Sequence, residues 1–271
     1  MKSFLLDIIK NESDVNLKIN IMREYLQLYA LRCIQDKGYF SKIAFVGGTA
    51  LRFLFNLPRF SEDLDFSLID VDGYDFNKLL KHLKSHFEFA GYNVQLSFNE
   101  KKNVHNTFLK FSDILFEAGL SSRKEHNISI KLEIDTNPPD GANIKNSILN
   151  KYFPINFNHY DLQSLFAGKL HAILTRQYTK GRDYFDLFWY LSKYKNLLPN
   201  YLLLNNALKQ TNSIYDNINS FNFKKIICSK IESQNWETIK KDISPFIEDN
   251  SYLNFMNSVS FIRLLENYLI T

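Results

Sequence analysis

Residues 47–65 read Gly47-Gly48-Thr49-Ala50-Leu51-Arg52-Phe53-Leu54-Phe55-Asn56-Leu57-Pro58-Arg59-Phe60-Ser61-Glu62-Asp63-Leu64-Asp65. Two glycines close an apolar run, a short helical stretch follows, and an Asp-x-Asp pair opens a second apolar run. Without a Cβ, Gly47 and Gly48 let backbone N–H groups come close to a phosphate chain. Asp63 and Asp65, two apart on an extended segment, project to the same side of a sheet. Carboxylates that close repel one another unless a cation lies between them, and Mg²⁺ is the hard ion held by such pairs together with substrate phosphates. A phosphate cradle beside a metal pair predicts phosphoryl-type transfer from a nucleoside triphosphate (NTP).

Outward from this stretch, Leu17, Ile21, Tyr25, Leu28 and Leu31 predict a helix over 15–36 that stops at Gly38. Residues 42–46 form an apolar strand into the glycines, Thr49 begins a helix that Pro58 ends, and 64–69 is a second strand beside the first. Residues 76–90 are helical, 93–98 alternate as a strand, and 107–111 form a weaker one. In 127–135, Ile128, Ile130, Leu132 and Ile134 face one way, while Ser129, Lys131, Glu133 and Asp135 face the other. The turn Pro138-Pro139-Asp140-Gly141 closes that strand, and a polar, linker-like stretch runs to about 158. From Asp161, a natural N-cap, the period becomes helical: 162–177, then 182–194, then shorter helices to the end. The fold class expected is α+β: a small mixed sheet with flanking helices at 1–158, followed by a helical domain at 159–271.

The charged front of 127–135 supplies the third carboxylate that a two-metal site requires, Glu133, with Asp135 in reserve. Lys131 on the same front either neutralises Glu133 or meets the triphosphate. Lys169, Ile173 and Arg176 share one helix face, able to grip a triphosphate or an RNA backbone. Asp183 and Asp186 follow near a helix start, placed to orient Lys169 or Arg176.

Bulk properties narrow the classes. The 271 residues are 45% hydrophobic and 23% charged, with a net charge of +4. That mild surplus tolerates a nucleic-acid partner without requiring one. Cys33 and Cys228 are the only cysteines, too few for a disulfide scaffold or a thiolate zinc site, and point to a reducing cytoplasm. Asp7 interrupts the first apolar run, arguing against a leader, and no stretch approaches the roughly 20 apolar residues that cross a bilayer. The six histidines show no ligand clustering beyond His82 and His86, read as surface residues. No Gly-x-Ser-x-Gly elbow or Gly-Lys-Ser/Thr phosphate loop is present.

Three blocks then resemble the abortive-infection AbiE toxin-type nucleotidyltransferases of the DNA polymerase β-like superfamily. They are Gly47 to Arg52, Arg59 to Phe66, and Lys169-Leu170-His171-Ala172 with Arg176 and Arg182 to Leu187. The resemblance implies a nucleotidyltransferase domain and a helical domain that contributes Lys, Arg and Asp side chains to the cleft. It implies Mg²⁺-dependent transfer, with two ions, from NTP to the 3′ end of an RNA, tRNA in related toxins, and a separately encoded antitoxin. Carried onto this chain, Asp63 and Asp65 hold metal, Lys169 contacts the triphosphate, and Asp183 or Asp186 is the downstream acid. Ser61 sits beside the metal pair and Arg59 braces its loop. Many superfamily members have Gly-Ser where this chain has Gly47-Gly48, which transfers the hydroxyl contact to Thr49 or removes it. Two rival readings keep the fold: nucleotidylation of a protein hydroxyl in the manner of an AMPylase, and a non-catalytic nucleotide- or RNA-binding module.

Overall fold

The structure, a computed structural model, describes residues 1–100 and 102–268. Helix α1 (Lys2–Ile8) precedes α2 (Val15–Asp36), whose first turn is capped by Asp14 accepting from the Leu17 N–H at 2.8 Å. Strand β1 (Ile43–Val46) runs into α3 (Gly47–Phe55), and β2 (Asp63–Leu68) and α4 (Phe76–Phe89) follow. Then come β3 (Asn93–Asn99), β4 (Val104–Ser112), the one-turn α5 (Ile114–Glu117), β5 (Ile128–Asp135), β6 (Ile144–Asn150) and β7 (Pro154–Tyr160). The remainder is helical: α6 (Leu162–Thr175), α7 (Gly181–Lys193), α8 (Tyr201–Gln210), α9 (Phe223–Glu232), α10 (Trp236–Ile243) and α11 (Ser258–Glu266).

Among the described residues seven strands make one mixed sheet in the order β3-β4-β5-β2-β1-β7-β6. β1 and β2 are antiparallel, β2 and β5 parallel, and β5, β4 and β3 antiparallel in turn. β5 alternates buried and half-buried residues along its whole length, so Ile128, Ile130, Leu132 and Ile134 enter the core while Lys131, Glu133 and Asp135 stay on the polar face. Helix α2 packs on α4 and on β5, burying Leu26, Leu28, Leu31 and Ile34.

One expectation is corrected. The stretch before 158 is not a linker: β6 and β7 extend the sheet, β7 pairing in parallel with β1 through Phe45 and His159. β6 is an edge strand with five of its seven residues exposed and none fully buried, so it carries no clear apolar alternation to betray it. β7 does alternate, with Ile155 and Phe157 fully buried.

The chain divides into two units. The first comprises 1–54, 60–137 and 145–159, and holds the sheet; the second comprises 55–59, 138–144 and 160–271, and holds α6 to α11. In the helical unit α6 packs on α7 and α8, and α10 and α11 pack on α7, around Phe166, Tyr190 and Phe185. Among the described residues no helix is long and apolar enough to cross a membrane.

Candidate functional site

In the sheet unit the site residues are placed by the junction between β1 and α3. Gly47 makes that turn with φ at +78°, a left-handed conformation that favours glycine. A Cβ built on it would collide with the Asp65 carboxylate, lying 3.0 Å from Asp65 Cγ. Backbone and carboxylate are therefore in direct apposition. Gly48 and Thr49 are buried, and the Thr49 hydroxyl donates to the carbonyl oxygen of Asp63. That bond ties α3 to the start of β2. The carbonyl of Ser61, itself buried, accepts from Gln27 Nε2 at 3.0 Å, which fixes the approach to the strand from the α2 side.

Asp63 and Asp65 are both half-buried and flank buried Leu64, so they share one face of β2. Across the parallel pairing Asp65 is level with Glu133 and Asp63 with Lys131. Adjacent strands lie about 4.8 Å apart, within the span of a carboxylate-bound cation. Lys131 Nζ reaches Glu133 Oε1 at 2.8 Å. Partial burial pulls the Lys131 pKa down, but its bond to Glu133 and the charges of Glu133, Asp63 and Asp65 together outweigh this and hold it above the ordinary lysine value. All three carboxylates thus act on one ammonium.

Asp135 lies one step further along the same face, level with Ser67, and accepts from the Asn137 N–H at 3.0 Å. Burial raises its carboxyl pKa. Its oxygen is engaged in the turn after β5, whereas Glu133 is beside Asp65.

These residues fit a divalent cation in kind: the donors are hard carboxylate oxygens, two on β2 and one level with them on β5, with the Asp65 carboxylate against the Gly47 backbone. Among the described residues no three His, Cys, Asp or Glu side chains already converge as a ligand set, and Glu133 is paired with Lys131.

The helical unit contains the second group. Arg59 directs Nε and Nη2 to the two oxygens of Asp186 at 2.6 and 2.7 Å, and both side chains are buried. Lys169 Nζ lies 2.7 Å from Asp186 Oδ2 and 3.5 Å from Asp183 Oδ1, and Arg176 closes the chain by pairing with the other oxygen of Asp183. Charges alternate through five residues. Burial, the largest influence on Asp186, would raise its pKa, but Arg59 and Lys169 acting together hold it below the usual carboxylate value. Asp161 caps α6 by accepting from the Ser164 N–H at 2.8 Å, and Asp242 caps α7 by accepting from the Gly181 N–H at 2.6 Å, so the helices bearing the network have fixed starts.

Sequence reasoning did not single out Glu24. It is buried on α2 and joins Arg52 to Lys151, with Arg52 also lying 3.9 Å from the centre of the Phe60 ring. An acid in the middle of an apolar helix face was the available signal.

The family described as "Nucleotidyl transferase AbiEii toxin, Type IV TA system" matches residues 29–260. Two solved structures from Helicobacter pylori share the fold. JHP933 is 20% identical over 91% of this chain and 90% of its own, with a TM-score of 0.54. A candidate nucleotidyltransferase is 19% identical over 90% of this chain and 92% of its own, with a TM-score of 0.51. A comparison with curated proteins gave no match. With a family match spanning most of its length, the chain belongs to the AbiEii family, the nucleotidyltransferase toxins of type IV toxin–antitoxin systems, which implies a separate antitoxin.

Proposed function

We propose that this nucleotidyltransferase moves a nucleotide from an NTP to a hydroxyl at the 3′ end of an RNA, with tRNA as the acceptor, in the cytoplasm. The observation that carries the reading is the register of β2 on β5: Asp63 and Asp65 on one face, Glu133 level with Asp65, and the Asp65 carboxylate packed directly against the Gly47 backbone.

Asp63, Asp65 and Glu133 would hold Mg²⁺, expected as two ions, with Asp135 the reserve ligand. Bound there, the metal supplies activation of the acceptor hydroxyl and neutralisation of charge on the leaving pyrophosphate. The Gly47-Gly48 backbone is the surface for the triphosphate, and Thr49 keeps β2 in register with it through the Asp63 carbonyl. Lys131, released from Glu133, and Lys169 and Arg176 are the cations for the phosphate chain. Asp183 and Asp186 fix the orientation of Arg176 and Lys169, and Arg59 and Ser61 hold the loop that enters β2.

Incubation with Mg²⁺, total bacterial RNA and each α-labelled NTP in turn tests this. Label entering RNA supports it, and no label in RNA from a folded, NTP-binding protein overturns it. Label in protein bands would instead mark a protein-nucleotidylating enzyme, and metal-independent RNA binding without turnover a binding module.

A further inference from the structure

The loop between α6 and α7 meets the end of α9 around a polar cavity of about 150 Å³. On the same measure a single water needs about 10–15 Å³, so the space admits a much larger polar group. Arg176, Lys180 and Lys230 line it. The one acid on its wall, Asp183, is already shared between Arg176 and Lys169. Tyr178 stands at the rim, 67% exposed, with the Arg176 guanidinium 5.4 Å from its ring centre. The loop is held in place by Thr179, whose hydroxyl donates to Gln234 Oε1 at 2.8 Å across the cavity.

Cations around a polar hollow suit a phosphodiester, and an exposed ring braced by a guanidinium suits a stacked base. An acidic peptide would use the cations but would leave the ring with no flat partner.

We propose that this cavity is a subsite for single-stranded RNA, in which Lys230 and Lys180 hold a backbone phosphate and Tyr178, braced by Arg176, stacks on an adjacent base. The subsite rests on the RNA-acceptor reading above and names the surface that would receive the acceptor.

The test is fluorescence anisotropy with a labelled single-stranded RNA and labelled total tRNA, on wild type, Tyr178→Ala, Tyr178→Phe and Lys230→Ala, together with NTP binding and transfer assays. Tyr178→Ala is expected to weaken RNA binding about tenfold while Tyr178→Phe stays close to wild type, because stacking needs only the ring. Lys230→Ala should reduce the slope of log affinity against log salt by about 0.7, one phosphate contact. NTP binding should not change in any variant, which also shows that each is folded. RNA affinities and salt slopes equal to wild type in all three variants overturn the subsite, even if transfer to RNA is intact. Loss of RNA affinity in Tyr178→Ala with no transfer by wild type would leave the subsite standing and remove the transfer reading. Binding of an acidic peptide in place of RNA overturns the subsite.

Discussion

Arg59 and Asp186, 127 residues apart in sequence, make a two-pronged ion pair of 2.6 and 2.7 Å that is closed to solvent on both sides. Buried charges of this kind are tolerable only as a set, because attraction has to offset lost hydration. Asp186→Asn would leave Arg59 and Lys169 facing a neutral amide. Chemical denaturation should report a loss of about 3–5 kcal/mol. A loss under about 1 kcal/mol would show that the pair is not what holds these helices.

The same pair sets an acid limit. The folded Asp186 binds its proton more weakly than the unfolded chain does. Its contribution is therefore complete above the unfolded value of about 3.9 and is lost as pH falls through the lower folded value. Stability measured from pH 6 down to pH 3 should drop for wild type, and this component of the drop should be missing in Asp186→Asn. Parallel curves would exclude Asp186 as its source.

Gly47 and Gly38 form a natural control. Both have φ near +77°, at +78° and +76°, yet a Cβ on Gly38 meets nothing within 4 Å, while one on Gly47 meets Asp65. Each Gly→Ala change should lower stability by about 1–2 kcal/mol through the left-handed backbone. Only Gly47→Ala should also abolish nucleotide transfer, read as label incorporated into acceptor. Equal activity in the two variants would dissociate the junction from the site.

Glu133 and Asp135 separate by register. Glu133→Gln should reduce transfer about 100-fold or more, as expected for losing one charge-stabilising group. Asp135→Asn should leave the rate close to wild type, since that oxygen serves the Asn137 N–H. Initial rates at saturating NTP decide between them, and the reverse ranking would move the third ligand to Asp135.

Burial pushes the Cys33 thiol up to about 12, so at pH 8 only about one molecule in 10⁴ carries the thiolate. Cys228 is half-buried on α9 and its thiol is raised less. Iodoacetamide at pH 8 should modify Cys228 slowly in the folded protein and both thiols after unfolding, as peptide mass spectrometry would record. Modified Cys33 in folded protein would contradict the packing of α2.

Much of the sheet was legible because β5 obeys simple alternation and β1 is a short apolar run closed by glycines. Residues 128–135 show the two-residue period without interruption, and the Gly-Gly junction marks where β1 ends. Where β6 was missed, the physical signal was absent: an exposed edge strand buries nothing that a pattern could report. At the site, sequence spacing was enough to bring Asp63 and Asp65 to one face. It could not show that Asp65 sits level with Glu133, nor that Asp186 is saturated by two cations, because both depend on pairings across long stretches of chain. Thr49 carries the same lesson on a smaller scale. Its hydroxyl follows the glycines in sequence, but the fold turns it to the Asp63 carbonyl.

Residues 55–59 belong to the helical unit, most of which is synthesised long after them. On a ribosome Arg59 is made 127 residues before Asp186, an interval of about 6–25 s at 5–20 residues per second. Throughout that interval the segment leading into Asp63 and Asp65 has its Gln27 contact but lacks the Arg59–Asp186 ion pair. A nascent chain of this toxin family would thus acquire a fully braced loop only late in its own synthesis, after α7 has been made.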